Sequence, residues 1–282
     1  ALEKIDGYVS QMAEMDGGAD AAKYKKFRAD IGPLLARLDS ANRDQLIPAL
    51  ADGQSAIVLD AKITSTQWAS MMPESTTPLP MLELGMVMSV SDPEKLKAGC
   101  AEYMAVAREM LAKLAEIAPD DVPAADFPEP KSREFGDSTV WYYLLPKDWG
   151  IDKRIAPNAG VSPSVAALSL APLHTKRLLE KTPLAADGPI ARYRDKPLAM
   201  AGSFNFAGLV DAVTPWIEYS MTAGGEFGVQ ADADGLGGGP GAMEMIEIGA
   251  KVLKCFRGYS SVTYVDGDVM VTEGEWRFED LQ

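Results

Sequence analysis

The chain has very little histidine and cysteine: His174 is its one imidazole, and Cys100 and Cys255 are its two thiols among 282 residues. A single imidazole excludes any metal site built on two histidines, and any Ser-His-Asp or Cys-His arrangement would have to use His174. That residue follows Pro172 in the first turn of an expected helix, a position that suits a surface residue better than a catalytic base. No Gly-x-Ser-x-Gly elbow, His-Glu-x-x-His or Cys-x-x-Cys occurs, so the common hydrolase and redox motifs are missing. The two cysteines lie on or beside the apolar faces of expected helices, where a buried, inert thiol is the usual outcome. A disulfide between them remains open if the protein is extracytoplasmic.

Clustered positive charge is lacking too. Lys plus Arg number 27 against 41 Asp plus Glu, a formal net charge of -14, and cationic runs stop at pairs such as Lys25-Lys26 and Lys176-Arg177. Nucleic acid is therefore not an expected partner, because a phosphate backbone needs a clustered cationic surface. Long apolar runs are absent as well, and none approaches the roughly 20 residues of a transmembrane helix. What remains is a globular composition, 47% hydrophobic and 24% charged, that can bury a substantial core. Ala1 is small and stands where no initiator Met is found, which fits signal-peptide removal and an engineered terminus equally.

The best-patterned stretch runs from Asp232 to Phe278. Met243, Ile246, Ala250 and Leu253, beside Met245, Ile248 and Val252, make a helix over Ala242 to Phe256 that is apolar around about two thirds of its circumference. Glu244, Glu247, Lys251 and Lys254 form its polar stripe, and a helix of this kind is expected to be buried on most sides. Gly258 is expected to stop it. Tyr259 to Val265 and Val269 to Phe278 then read as two strands joined by a tight turn at Asp266-Gly267.

Earlier segments read in order as follows. Residues 1–53 are helical, with a break at Asp16-Gly17-Gly18, a kink or end at Gly32-Pro33, and a fresh start at Asn42, whose spacing to Gln45 is that of a capping box. Ser55 to Ile63 is a strand, Thr64 with Gln67 caps a short helix, and Leu84 to Ser91 is a second strand. Ser91-Asp92-Pro93-Glu94 opens the longest helix, with Leu96, Cys100, Tyr103, Ala107, Met110, Leu114 and Ile117 on one stripe. A Pro-bearing acidic loop spans Ala118 to Asp137. Thr139 to Leu145 and Val165 to Leu170 are strands, Pro172 opens a helix, and Leu198 to Phe206 is a strand followed by a helix to about Tyr219.

Ala56 to Pro73 and Ala199 to Trp216 share an order of strand, polar turn and short helix, which suggests an internal duplication with a boundary near Ala185. Together with Ser89-Val-Ser-Asp-Pro-Glu-Lys-Leu96, Thr139-Val-Trp-Tyr-Tyr143 and the strand-helix pair from Ser164 to Pro183, this arrangement resembles uncharacterised, often secreted, bacterial proteins built from repeated α+β domains of unknown function. The resemblance covers about half the chain and implies an extracytoplasmic location. It brings no catalytic residues.

The acidic Gly-rich loop is the one stretch that invites a ligand. Asp232-Ala-Asp234-Gly235 matches the middle of a calcium loop, which makes Asp232 and Asp234 the candidate metal ligands, with Glu244 as an additional one. An EF-hand register would place Gln230 first and Gly241 last, where Asp and Glu belong, so a loop without metal is the competing reading. Gly237, Gly239 and Ala242 fit Gly-x-Gly-x-x-Ala, but no strand leads into them and the neighbouring carboxylates repel phosphate. Trp141, Tyr142, Tyr143 and Trp149 offer either an aromatic platform for a sugar or peptide or ordinary core. Glu273 with Glu275 is a carboxylate pair without a sequence sign of convergence.

The expected architecture is α+β: a helical N-terminal region (1–53) followed by two similar halves (54–185 and 186–282), each with helices packed on a largely antiparallel sheet. The expected function is a non-catalytic binding or assembly module, extracytoplasmic, with a protein partner or self-assembly and no obligatory cofactor. A carboxylate-type enzyme acting on carbohydrate is the alternative.

Overall fold

The structure, a computed structural model, describes residues 19–117, 128–180, 187–223 and 240–280. They belong to two compact units that interleave along the chain. The first unit takes the residues up to Ile57, Gly85–Leu144 and Ala156–Leu179; the second takes Val58–Leu84, Leu145–Ile155 and the residues from Glu180 onwards.

In the first unit, helix α1 (Ala19–Ala41) contains Pro33 without ending there and runs straight into a π-helical turn, Asn42–Leu46, and a last α turn, Ile47–Ala49. The helix start expected at Asn42 is therefore absent. The Asn42 side chain makes no cap and instead accepts a hydrogen bond from the Tyr103 hydroxyl (2.6 Å) on helix α2, Pro93–Ile117. Ile31 and Leu34 of α1 bury against Val106 of α2, with Leu38, Met110 and Leu114 around them.

A six-stranded sheet supports these helices, in the order β1 (Ser55–Asp60), β4 (Glu83–Ser89), β8 (Val165–Ser169), β7 (Asn158–Val161), β6 (Ser138–Tyr142), β5 (Lys131–Phe135). The pairs from β4 to β5 are antiparallel. Alternation divides the side chains between two faces. Met88, Trp141, Val161 and Ala166 meet Leu46, Ala49, Leu50 and Leu96 on one of them. On the other, Val87, Val140 and Ala167 meet Leu178 and Leu179 of helix α3, Pro172–Leu179.

Two glycines set the approach of α3. A β-carbon on Gly85 would stand 2.6 Å from Leu178 Cδ1 and 2.9 Å from His174 Cε1, and one on Gly160 would stand 2.6 Å from Leu179 Cδ1 and 2.7 Å from Thr175 Cγ2. His174 consequently lies between helix and sheet at 1% exposure, which corrects the expectation of a surface histidine. Its side chain occupies space that the missing Gly85 β-carbon leaves. Part of the expected acidic loop is also strand: β5 pairs residue by residue with β6 through a turn at Gly136 (φ 58°).

The second unit is built on a three-stranded antiparallel sheet, β11 (Val269–Phe278), β10 (Phe256–Asp266) and β9 (Leu198–Phe204), in that order. Asp266 pairs with Val269 across the expected turn, where Gly267 adopts φ 61°. Gly258 does not stop a helix. It lies inside β10 at an irregularity in the ladder, and a β-carbon there would stand 2.5 Å from the Phe204 carbonyl oxygen. The helices of this unit are α4 (Gly188–Arg192), α5 (Phe206–Ala223) and α6 (Pro240–Lys254). Thr64 opens no helix either; β2 (Thr64–Ser65) pairs with β3 (Leu79–Pro80) in a small ladder of its own.

The chain is thus mixed α+β with antiparallel sheets, as expected. The sheets of the two units differ in strand number and order, and Ala185 lies outside the described residues. No helix among the described residues is long and apolar enough to cross a membrane.

Candidate functional site

Helix α5 begins where the Asn205 side chain accepts the Gly208 N–H (2.9 Å), satisfying one of the unpaired donors of a helix start. Pro215 sits inside it, and the hydroxyl of the preceding Thr214 donates to the Val210 carbonyl one turn back (2.8 Å). The aromatic side of α5 is anchored. Trp216 Nε1 donates to the Pro80 carbonyl (2.6 Å), the Tyr219 hydroxyl donates to that of Pro73 (2.8 Å), and the two rings meet edge to face. Its other side, Leu209, Val210, Val213, Thr214 and Ile217, faces Ile246, Gly249, Ala250 and Leu253 of α6 across a groove of about 340 Å³. Both walls step at three- and four-residue intervals, the spacing of a helix-packing seam. A Lys254–Asp211 ion pair ties the helices together.

Only one side of α6 is used by this packing. Met245 is 58% exposed, Ile248 52% and Val252 46%, so the helix that its composition predicts to be buried on most sides is bare along its outer face. Bare apolar side chains scattered singly are ordinary; a stripe of them on one helix, continuous with an apolar groove, marks a surface for contact.

A second constellation lies on the sheet. Glu273 and Glu275 fall on one face of β11, and the α4 segment closes over them. Glu273 Oε1 accepts from the Tyr193 hydroxyl (2.5 Å) and the Tyr264 hydroxyl (3.2 Å), while Glu275 receives Arg192 Nη2 at 2.7 Å. Lys196 Nζ stands 4.3 Å from the Tyr264 ring centroid and 5.1 Å from that of Tyr193. Arg277 pairs with Asp187. The hydrogen bond to Glu273, supported by that to Tyr264, pushes the Tyr193 phenol up to about 12. The two carboxylates share one face of the strand, and each is committed to a separate partner on the covering segment, Tyr193 for Glu273 and Arg192 for Glu275. The arrangement fastens α4 to the sheet.

A third polar cluster is likewise structural. Arg154 forks onto Asp152 through Nε–Oδ1 (2.9 Å) and Nη2–Oδ2 (2.5 Å), Ser65 donates to the same carboxylate (2.9 Å), and the guanidinium lies 5.1 Å from the centre of the Trp68 ring. Arg154 holds the Asp152 carboxyl well below the usual carboxylate range. Buried Glu83 accepts the backbone N–H groups of Lys62 (2.7 Å) and Ile63 (2.8 Å), closing the connection between β1 and β2.

The candidate metal ligands Asp232 and Asp234, and the glycines at 237 and 239, lie outside the described residues; Glu244 is exposed on α6. Among the described residues no group of three or more His, Cys, Asp or Glu side chains could hold a metal ion. Trp141 goes into the core, the Tyr143 hydroxyl contacts Met104 Sδ (3.6 Å) and Trp149 is exposed, so these residues do not assemble as one platform. Both cysteines are free, and Cys100 is exposed rather than buried. Comparisons with protein-family models, curated proteins and solved structures find no match to this chain.

Proposed function

We propose that the chain is a non-catalytic binding and assembly module, extracytoplasmic, which engages an apolar α-helical protein segment through α5 and α6. The observation that supports this reading is the apolar groove between the two helices, continuous with the bare outer stripe of α6. Groove walls that are themselves helices with seam spacing suit a third helix, whose own apolar side chains fill the gaps between theirs. The carboxylate pair on β11 supports no competing activity, since Tyr193, Tyr264 and Arg192 occupy it.

An environment-sensitive apolar dye, 1-anilinonaphthalene-8-sulfonate, tests the surface directly. Dilute protein is expected to bind it saturably, and Ile217→Glu, a change on the groove wall that leaves the far-UV circular dichroism unaltered, is expected to abolish most of that binding. Absence of dye uptake by the wild type would remove the surface from consideration. Glycoside turnover that disappears in Glu273→Gln would overturn the non-catalytic part.

A further inference from the structure

The edge of a β-sheet leaves a row of backbone N–H and C=O groups without partners, and natural sheets block such rows with charge or proline. The edge strands of the two larger sheets are β1, β5, β9 and β11. Strand β5 carries Lys131, Arg133 and Glu134, β11 carries Glu273, Glu275 and Arg277, and β1 ends on Asp60. Strand β9, Leu-Ala-Met-Ala-Gly-Ser-Phe, holds no ionisable residue and no proline, and residues 199–204 are exposed throughout. Among the described residues its ladder bonds reach β10 alone, so its outer edge is open. Met200, Gly202 and Phe204 lie on one face, in register with Tyr259 and Trp276, whose ring centres are 4.8 Å apart. Ala201 and Ser203 lie on the other, the face of Glu273 and Glu275. Gly202 stands between Met200 and Phe204, and a β-carbon there would have only Ser261 Oγ within 4 Å, at 3.6 Å, so the row has a gap that a large side chain on an added strand fills.

From this we infer that β9 is a strand-addition site: an extended segment of a different protein, apolar at every second residue, pairs with its outer edge and widens the three-stranded sheet by one strand. The open backbone row dictates an extended partner, since a helix keeps its own N–H and C=O groups bonded internally. Alternation dictates the side chains. Large apolar residues of the incoming strand fall beside Met200 and Phe204 and fill the gap at Gly202, and small or polar ones fall beside Ala201 and Ser203. Charge decides against a second copy as the occupant. Each chain carries -14, so two copies repel one another. Net charge therefore protects this edge from self-pairing, as local charges protect the other edges, and leaves it open to a neutral or cationic segment. The site shares no residue with the groove between α5 and α6.

Fluorescence anisotropy with labelled peptides tests this on the full chain. The probe is a short peptide that alternates Val and Thr between terminal lysines, and its control has the same composition in shuffled order. The alternating peptide is expected to bind saturably, about tenfold or more tighter than the shuffled one. Met200→Lys, at a site 68% exposed, should weaken that binding about tenfold or more while leaving Tm unchanged. Methylating either all the Val or all the Thr backbone nitrogens blocks one edge of the peptide and spares the other. One of the two methylated peptides should therefore lose binding and the other keep it, a difference that simple apolar adhesion does not produce. Ile217→Glu should bind the peptide as the wild type does, so this site and the α5–α6 groove fail separately. No saturable binding, equal binding of the shuffled peptide, or an equal response to the two methylations would each overturn the proposal. A chain that self-associates in sedimentation velocity and becomes monomeric in Met200→Lys would identify a second copy as the occupant and overturn the partner named here.

Discussion

Gly267 and Gly160 are both required as glycine, for different reasons. Gly267 has open space around it but φ 61°, so Gly267→Val is expected to cost about 1 kcal/mol or more through backbone strain alone, read as a lowered Tm. Gly160 has ordinary φ but no room, and Gly160→Ala is expected to cost about 1–3 kcal/mol by driving Leu179 and Thr175 off the sheet. Sequence reading recognises the first case, because Asp-Gly between two β-branched runs names its own turn. The second is invisible to it, since only the register of β7 against α3 shows what the glycine admits. For the same reason His174 reads as a surface residue until Gly85 is seen opposite it.

Charged side chains make predictions of opposite sign in pH. Arg154 lowers the folded-state value of Asp152, so the ion pair stabilises the protein above the unfolded carboxylate value of about 4, and that contribution is lost as pH falls below it. The Tm difference between wild type and Asp152→Asn should therefore be large at neutral pH and shrink in acid. Tyr193 is shifted upwards by its bond to Glu273, so its contribution is present below the unfolded phenol value of about 10 and lost as pH rises through that value towards about 12. Ultraviolet titration should show a late-ionising tyrosine phase in the wild type whose amplitude falls by one tyrosine in Tyr193→Phe.

Among the elements, the hairpin of β10 and β11 and the long helix α2 are legible in the sequence, because each combines an unbroken period with a clear start or stop. Helix α1 is harder. Pro33 and the Asn42–Gln45 spacing are both stop or start signals, and packing of Ile31 and Leu34 on α2 overrides them. Strand β5, Lys-Ser-Arg-Glu-Phe, has a polar edge composition that hides it inside an acidic stretch; its pairing with β6 makes it a strand. For α6 the sequence identifies the helix and misjudges its surroundings, since an apolar circumference says what a helix needs to cover without saying where the cover comes from. Hydrogen exchange should follow the sheet order of the second unit, with β10, bonded on both sides, protected longer than β9 or β11.

Across the molecule as a whole, neither unit is a single stretch of chain. Segments Val58–Leu84 and Leu145–Ile155 leave the first unit, join the second and return, and Pro73 and Pro80 are held there by Tyr219 and Trp216. Composition and charge give no hint of this exchange, because the first segment reads as the end of a strand followed by a short helix, and the second as part of an ordinary connection between strands. A chain ended before α4 should keep the six-stranded sheet while its 61–82 segment becomes sensitive to protease, and limited proteolysis with mass-spectrometric mapping checks this. Equal resistance of that segment in truncated and full chains would show that it is held by something else.

The exchange also imposes an order on biosynthesis. By the time Leu179 has been made, every segment of the first unit exists, but the excursions at 58–84 and 145–155 still lack the strands and helices they belong with. At about 5–20 residues per second, the ribosome needs roughly 5–20 s more to reach Phe278. During that interval the nascent chain carries two excursions on a finished sheet, without the Trp216 and Tyr219 hydrogen bonds that hold Pro80 and Pro73. Chaperones that bind apolar loops would find them in that window, and in no other.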